Sequence, residues 1–153
     1  MNRRQAGLIG CALLLSACAA SPPPPPVLEL TATGSAGQNP DPAGAPQPVS
    51  LHVFELASTQ KFEQADVFAL IEREQATLGP DLLGSTGLVL RPSATQQLKK
   101  ELKPGTQAIG VVALFQKIDQ AQWRASAPVA GKGTTRLTLE VGSLSVTLKP
   151  AGR

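Results

Sequence analysis

Val49-Ser50-Leu51-His52-Val53-Phe54-Glu55-Leu56 is the stretch on which the fold turns. Successive side chains of an extended strand point to opposite faces. Val49, Leu51 and Val53 then share one face, and His52, Phe54 and Leu56 share the other. Apolar residues change face midway. Either a bulge shifts the register, or a further layer covers the second face. The next segment can supply that layer. From Thr59 to Leu78 there is no Gly or Pro, and Phe62, Ala65, Val67, Ala69 and Ile71 fall at helical spacings. The pattern predicts one or two short helices, with Thr59 and Asp66 as N-caps and a stop at Gly79-Pro80.

On both sides of this centre the chain reads as strands. Leu28-Glu29-Leu30-Thr31-Ala32 alternates apolar and polar, and Leu88-Val89-Leu90 is a short apolar run closed by Arg91-Pro92. Thr95 to Lys103 fits either a helical Leu98/Leu102 pair or a strand. The strand is favoured, at a sheet edge where Lys100 discourages pairing with another chain. Ala108 to Phe115 is apolar throughout, as a central strand buried on both faces would be. Leu137, Leu139 and Val141 alternate with polar residues, as do Leu144, Val146 and Leu148. Gly142-Ser143 between them predicts a two-residue hairpin with a type II′ turn. The count is seven or eight strands plus a helical insertion, a mainly β two-sheet sandwich.

The segment before the first strand has another character. Asn2-Arg3-Arg4-Gln5 is a short basic region, and Ala6 to Ala20 carries no charge. That run is short for a membrane span and fits a secretory signal peptide. It ends in Leu15-Ser16-Ala17-Cys18, the pattern of a bacterial lipobox. Small side chains fit a peptidase groove, and the Cys18 thiol is nucleophilic enough to accept a diacylglyceryl thioether. Cys11 leaves with the signal. Ala19 follows the cysteine where Asp would favour inner-membrane retention in enterobacterial sorting, so Ala19 implies the outer membrane. Pro22 to Pro26 should form a polyproline II spacer of roughly 15 Å. The expected organisation is a signal peptide over 1–17, a lipidated Cys18 and tether over 18–26, and a sandwich over 27–153.

Composition narrows the chemistry. A chain of 153 residues suits one domain. Its 14 basic and 11 acidic residues give a net charge of +3. Losing Arg3 and Arg4 with the signal leaves 12 against 11, or +1, so no basic patch invites nucleic acid. One His and two Cys exclude a zinc site of the multi-Cys/His kind, so no metal site is expected. His52 has no catalytic partner in the pattern. Glu72 and Glu74 face apart on a helix, and Glu63 and Asp66 read as a solvated face. Trp123-Arg124 is either a core Trp beside a surface Arg or an interface anchor. No catalytic residue and no cofactor beyond a covalent lipid on Cys18 are expected. Gly34 to Pro48 holds three Gly and four Pro and no large apolar side chain, so it forms no regular element. A loop of this length in a compact domain is uncommon and marks function or disorder.

The string Asn39-Pro40-Asp41, Gly44, Pro46, Pro48, then Val49 to Leu56, resembles the TssJ lipoprotein family of type VI secretion systems. The resemblance continues through Phe62, Ala65-Asp66-Val67-Phe68-Ala69-Leu70, Leu78-Gly79-Pro80-Asp81-Leu82-Leu83 and Leu90-Arg91-Pro92. It extends over Gly110-Val111-Val112-Ala113 and Ala121-Gln122-Trp123-Arg124-Ala125. Phe54 stands where the family often has Tyr. The resemblance implies a transthyretin-like sandwich, lipid-anchored in the outer membrane and facing the periplasm. It implies a partner, the periplasmic C-terminal region of TssM, within a complex that includes TssL. It implies that the loop between the first two strands, here Gly37, Gln38, Asn39, Pro40, Asp41, Pro42, Ala43, Gly44, Ala45, Pro46 and Gln47, binds that partner, with Asn39, Asp41 and Gln47 offering polar contacts. The alternatives are a periplasmic ligand- or peptide-binding lipoprotein without a secretion role, and a hydrolase using His52.

Overall fold

The structure, a computed structural model, describes residues 18–152. The signal segment with Leu15, Ser16 and Ala17 lies outside the described residues. Among the described residues there are eight strands: β1 (Val27–Gly34), β2 (Val49–Leu56), β3 (Leu82–Leu90), β4 (Thr95–Glu101), β5 (Ala108–Leu114), β6 (Arg124–Pro128), β7 (Thr134–Val141) and β8 (Val146–Pro150). Three short helices, α1 (Gln60–Gln64), α2 (Val67–Glu72) and α3 (Glu74–Leu78), separate β2 from β3. The strands form two four-stranded sheets, ordered β4-β1-β7-β8 and β3-β2-β5-β6. Only β1 and β7 run parallel; the other strand pairs are antiparallel.

The ambiguity of the second strand resolves in favour of a covering layer. Leu51 and Val53 point into the sandwich with Leu28, Leu30, Ile109, Val111, Leu137 and Leu139. Phe54 and Leu56 point the other way, into a second cluster with Phe62, Val67, Leu70, Leu78 and Val112. The Phe54 and Phe62 rings lie 5.8 Å apart. A register irregularity does occur between Glu55 and Leu56 opposite β3, yet Leu56 stays on the helix-covered face. Burying each such side chain contributes about 1.5–3 kcal/mol, so the insertion is held by β2 and β5 rather than by its own length.

The helical segment has three pieces because Arg73 leaves helical geometry (φ −138°, ψ 44°) between α2 and α3. Asp66 caps α2 as expected, accepting from the Ala69 amide at 3.0 Å. Thr59 holds the N-cap position of α1 without a side-chain bond; the Ser58 hydroxyl accepts from Gln60 N instead, at 3.3 Å. Gly79, with φ 56°, ends α3 as its position in the sequence predicts.

Two expectations need correction. β4 is an edge strand, but Lys100 does not guard it from outside: its ammonium reaches inward to the buried Glu55 carboxylate. The β7–β8 connection is not a two-residue type II′ turn. Val141 pairs with Val146, the Gly142 amide donates to Ser145 O at 2.8 Å, and Gly142 has no positive φ. The wider turn frees two carbonyls for neighbours, since Ser143 O accepts from Asn39 N (3.2 Å) and Leu144 O from Gln122 N (2.8 Å).

Candidate docking loop and lipid anchor

Cys18 is an exposed free thiol at the start of the described chain. Ser21 to Pro25 are exposed, whereas Pro26 is buried and its carbonyl accepts from Leu102 N at 2.8 Å. The last proline of the tether is thus packed into the body. From there β1 runs the length of its sheet and delivers Gly34 to the far end. Eight strand residues at about 3.3 Å each span roughly 26 Å. The tether and the β1–β2 loop therefore leave opposite poles of the sandwich.

The loop has no helix or strand, as its composition predicts, but it is not loose. Gln38 and Asn39 are 0% and 2% exposed. Gln38 Nε2 donates to Leu90 O (2.8 Å) and Gln47 O (3.1 Å). Asn39 Nδ2 donates to Pro48 O, and Asn39 Oδ1 accepts from Gln116 N, both at 2.8 Å. Asn39 adopts φ 46°, a left-handed conformation that asparagine tolerates better than most residues. Asp41 Oδ1 accepts from Ala43 N and Ala45 N, each at 2.9 Å, and Gln47 Nε2 donates to Asp41 Oδ2 at 3.1 Å. The Ala45 amide, followed by Gln47 and Ala43, holds the Asp41 carboxyl below its ordinary value against the opposing effect of desolvation. Asn39 is thus turned inward, while Asp41 and Gln47, both half-buried, bond within the loop. Ser35, Ala36, Gly37, the tip Pro42, Ala43, Gly44, Ala45 and Pro46, and Pro48 are exposed, with Pro40, Asp41 and Gln47 half-buried. Gly34 lies at the root of the loop, where an added Cβ would come within 2.7 Å of Arg91 O.

Trp123 is half-buried and touches both hydrophobic clusters. Arg124 stacks on it, with Cζ 4.2 Å from the ring centroid. One guanidinium nitrogen of Arg124 donates to Phe62 O (2.7 Å) and Ala65 O (2.9 Å), the carbonyls left open at the end of α1. The pair pins the insertion to β6. Burial depresses the Arg124 pKa, and Glu63 opposes that shift. His52 lies beside Phe54, half-buried, with centroids 6.4 Å apart. Glu74 accepts from the Ser85 hydroxyl at 3.0 Å, so it braces β3 rather than facing Glu72. Sequence reasoning missed Glu55 and the cap made by Arg124. A signal for Glu55 was available, because it continues the inward parity of Val49, Leu51 and Val53.

Residues 26–144 match the family of type VI secretion lipoproteins that includes VasD, EvfM and TssJ. No curated protein sequence matches the chain. Among solved structures, the type VI secretion lipoprotein TssJ1 from Pseudomonas aeruginosa is 30% identical with a TM-score of 0.80, covering 85% of this chain and 99% of that one. Serratia marcescens Lip, a membrane-bound component of the type VI secretion system, is 25% identical with a TM-score of 0.74, over 84% and 98% of the two chains. A chain of a type VI membrane complex is 25% identical with a TM-score of 0.71, over 81% and 98%.

Proposed function

This chain belongs to the type VI secretion lipoprotein family that includes TssJ, and on that premise we propose that it fixes the trans-envelope secretion complex to the outer membrane. It is a component of the type VI membrane complex, in a family of membrane-bound lipoproteins rather than enzymes. In this reading Cys18 carries the lipid, which needs two or more acyl chains for stable anchoring. Ala19 directs the lipoprotein to the outer membrane, and the body hangs on its periplasmic side. The protein acts without catalytic residues or a cofactor. Its β1–β2 loop binds the periplasmic C-terminal region of TssM, in a complex with TssL. The observation that carries this reading is polarity: the tether and the loop lie at opposite ends of β1, so an anchored body presents the loop away from its membrane. The internal bonds of Asp41 and Asn39 prepay the ordering of the loop, which leaves binding less entropy to lose.

The test uses the mature lipidated chain in detergent with the TssM periplasmic region. Ala43→Lys with Ala45→Lys alters the exposed tip and keeps Gly44 at its φ of 88°. The expected result is loss of binding at unchanged thermal stability; undiminished affinity overturns the loop assignment. Cys18→Ser should block acylation and outer-membrane fractionation, and continued fractionation there places the anchor elsewhere.

A further inference from the structure

We propose that the groove between α2 and the Ile118–Gln120 turn is a second docking surface, occupied by a basic segment of the same partner whose lysine or arginine stem lies on Phe68. The proposal rests on the docking reading above and extends it to a part of the surface the loop does not reach.

Phe68 is 60% exposed although Val67, Ala69 and Leu70 of the same helix are buried. Only Phe68 and Val89 are large hydrophobic residues exposed among the described residues. Phe68 does not stand alone. With Asp66, Ile118, Asp119, Trp123 and Arg124 it lines an open groove of about 510 Å³. Aromatic residues and arginine at such a site are the composition of binding hot spots. The groove wall is already rigid, because Arg124 is stacked on Trp123 and tied to two carbonyls. Arg124 thereby serves as scaffold, with one guanidinium nitrogen committed to both carbonyls.

Charge decides the occupant. Of the three charged residues that line the groove, Asp66 and Asp119 are acidic, and the third, Arg124, is turned onto Trp123 and the Phe62 and Ala65 carbonyls. Asp66 and Asp119, both exposed, stand on the rim of the groove. A long cationic side chain can lay its methylenes on the exposed Phe68 ring and bring its head to those carboxylates. An acidic segment would meet repulsion there. Position favours the partner already invoked. Gln116, two residues before Ile118, donates its amide to Asn39 Oδ1, so the groove adjoins the root of the β1–β2 loop.

The experiment measures the affinity of the TssM periplasmic region for the mature lipidated chain and three variants. Phe68→Ser and Asp119→Lys change exposed side chains, so thermal melting should match the unmodified chain. Each should weaken binding by about tenfold or more, as loss of a hot-spot contact does. The third variant, Ala43→Lys with Ala45→Lys, reads the loop alone. If the loop variant loses binding while Phe68→Ser stays within about twofold of the unmodified chain, the groove proposal is overturned and the docking reading stands. If Asp119→Lys tightens binding, the occupant is acidic and the proposal is overturned on charge. If the unmodified chain does not bind at all, the docking reading fails and takes the groove with it.

Discussion

Lys100 of β4 and Glu55 of β2 form an ion pair between the inner faces of the two sheets. Glu55 is only 2% exposed, and its other oxygen accepts from the Lys103 amide at 2.9 Å. The Lys100 ammonium also donates to the Thr86 hydroxyl at 3.1 Å, so one side chain spans the open seam between β3 and β4. Gln96 spans the same seam, donating to Val89 O at 2.6 Å.

Removing one partner of this pair should be costly. Lys100→Met leaves a buried carboxylate without its cation, and a loss of about 3–5 kcal/mol is expected in urea unfolding. Adding Glu55→Gln should recover most of it. A single variant as stable as the parent would show that the pair is solvated in solution.

Arg124→Ala should cost about 1–3 kcal/mol, because Phe62 O and Ala65 O both lose their donor. The chain has one Trp, and Arg124 covers its ring, so intrinsic fluorescence reports the change directly. An unshifted emission maximum together with an unchanged melting temperature would contradict the cap.

Gly110→Ala tests the fit of the insertion on β5. A Cβ there would lie 2.8 Å from Phe62 Cζ and 2.9 Å from Leu56 Cδ1. Overpacking of this kind costs about 1–3 kcal/mol. Protease sensitivity should rise in residues 60–78 before the sandwich itself unfolds, and a uniform response would count against separate layers.

Asp41 should make the loop acid-sensitive. Its folded pKa lies below the ordinary 3.8, chiefly through the Ala45 amide, so folding favours the carboxylate. The contribution is present above that ordinary value and disappears as pH falls through the lower folded one. Protection of the Ala43 and Ala45 amides, measured against their intrinsic exchange, should fall in that acid window, and Asp41→Asn should abolish that pH dependence of protection. Protection unchanged through the window would remove the carboxylate from the loop's architecture.

The sandwich was legible because its cues are periodic. Leu28 to Ala32, Val49 to Val53 and Leu137 to Val141 alternate, and Ala108 to Phe115 is apolar on both faces because β5 has the inner core on one side and the insertion on the other. The loop was legible as an irregular element but not as a built one. Composition marks where prolines and glycines fall; it does not say that Asn39 turns inward to hold Gln116, a contact between positions 77 apart. Lys100 shows the same limit. A lysine on an edge strand reads as exposed, and only the opposing Glu55 makes inward burial tolerable.

The parallel pairing of β1 with β7 governs the order in which the chain can acquire its structure. Val27 finds its neighbour at Thr134 and Gly34 at Val141, so the N-terminal strand waits for nearly the whole chain before its sheet can close. The end bearing Cys18 is the first to be synthesised and among the last to be locked in place. On the proposed acylation of Cys18, the modification would act beside a strand that has yet to find its sheet, and the body would fold with one end already tethered.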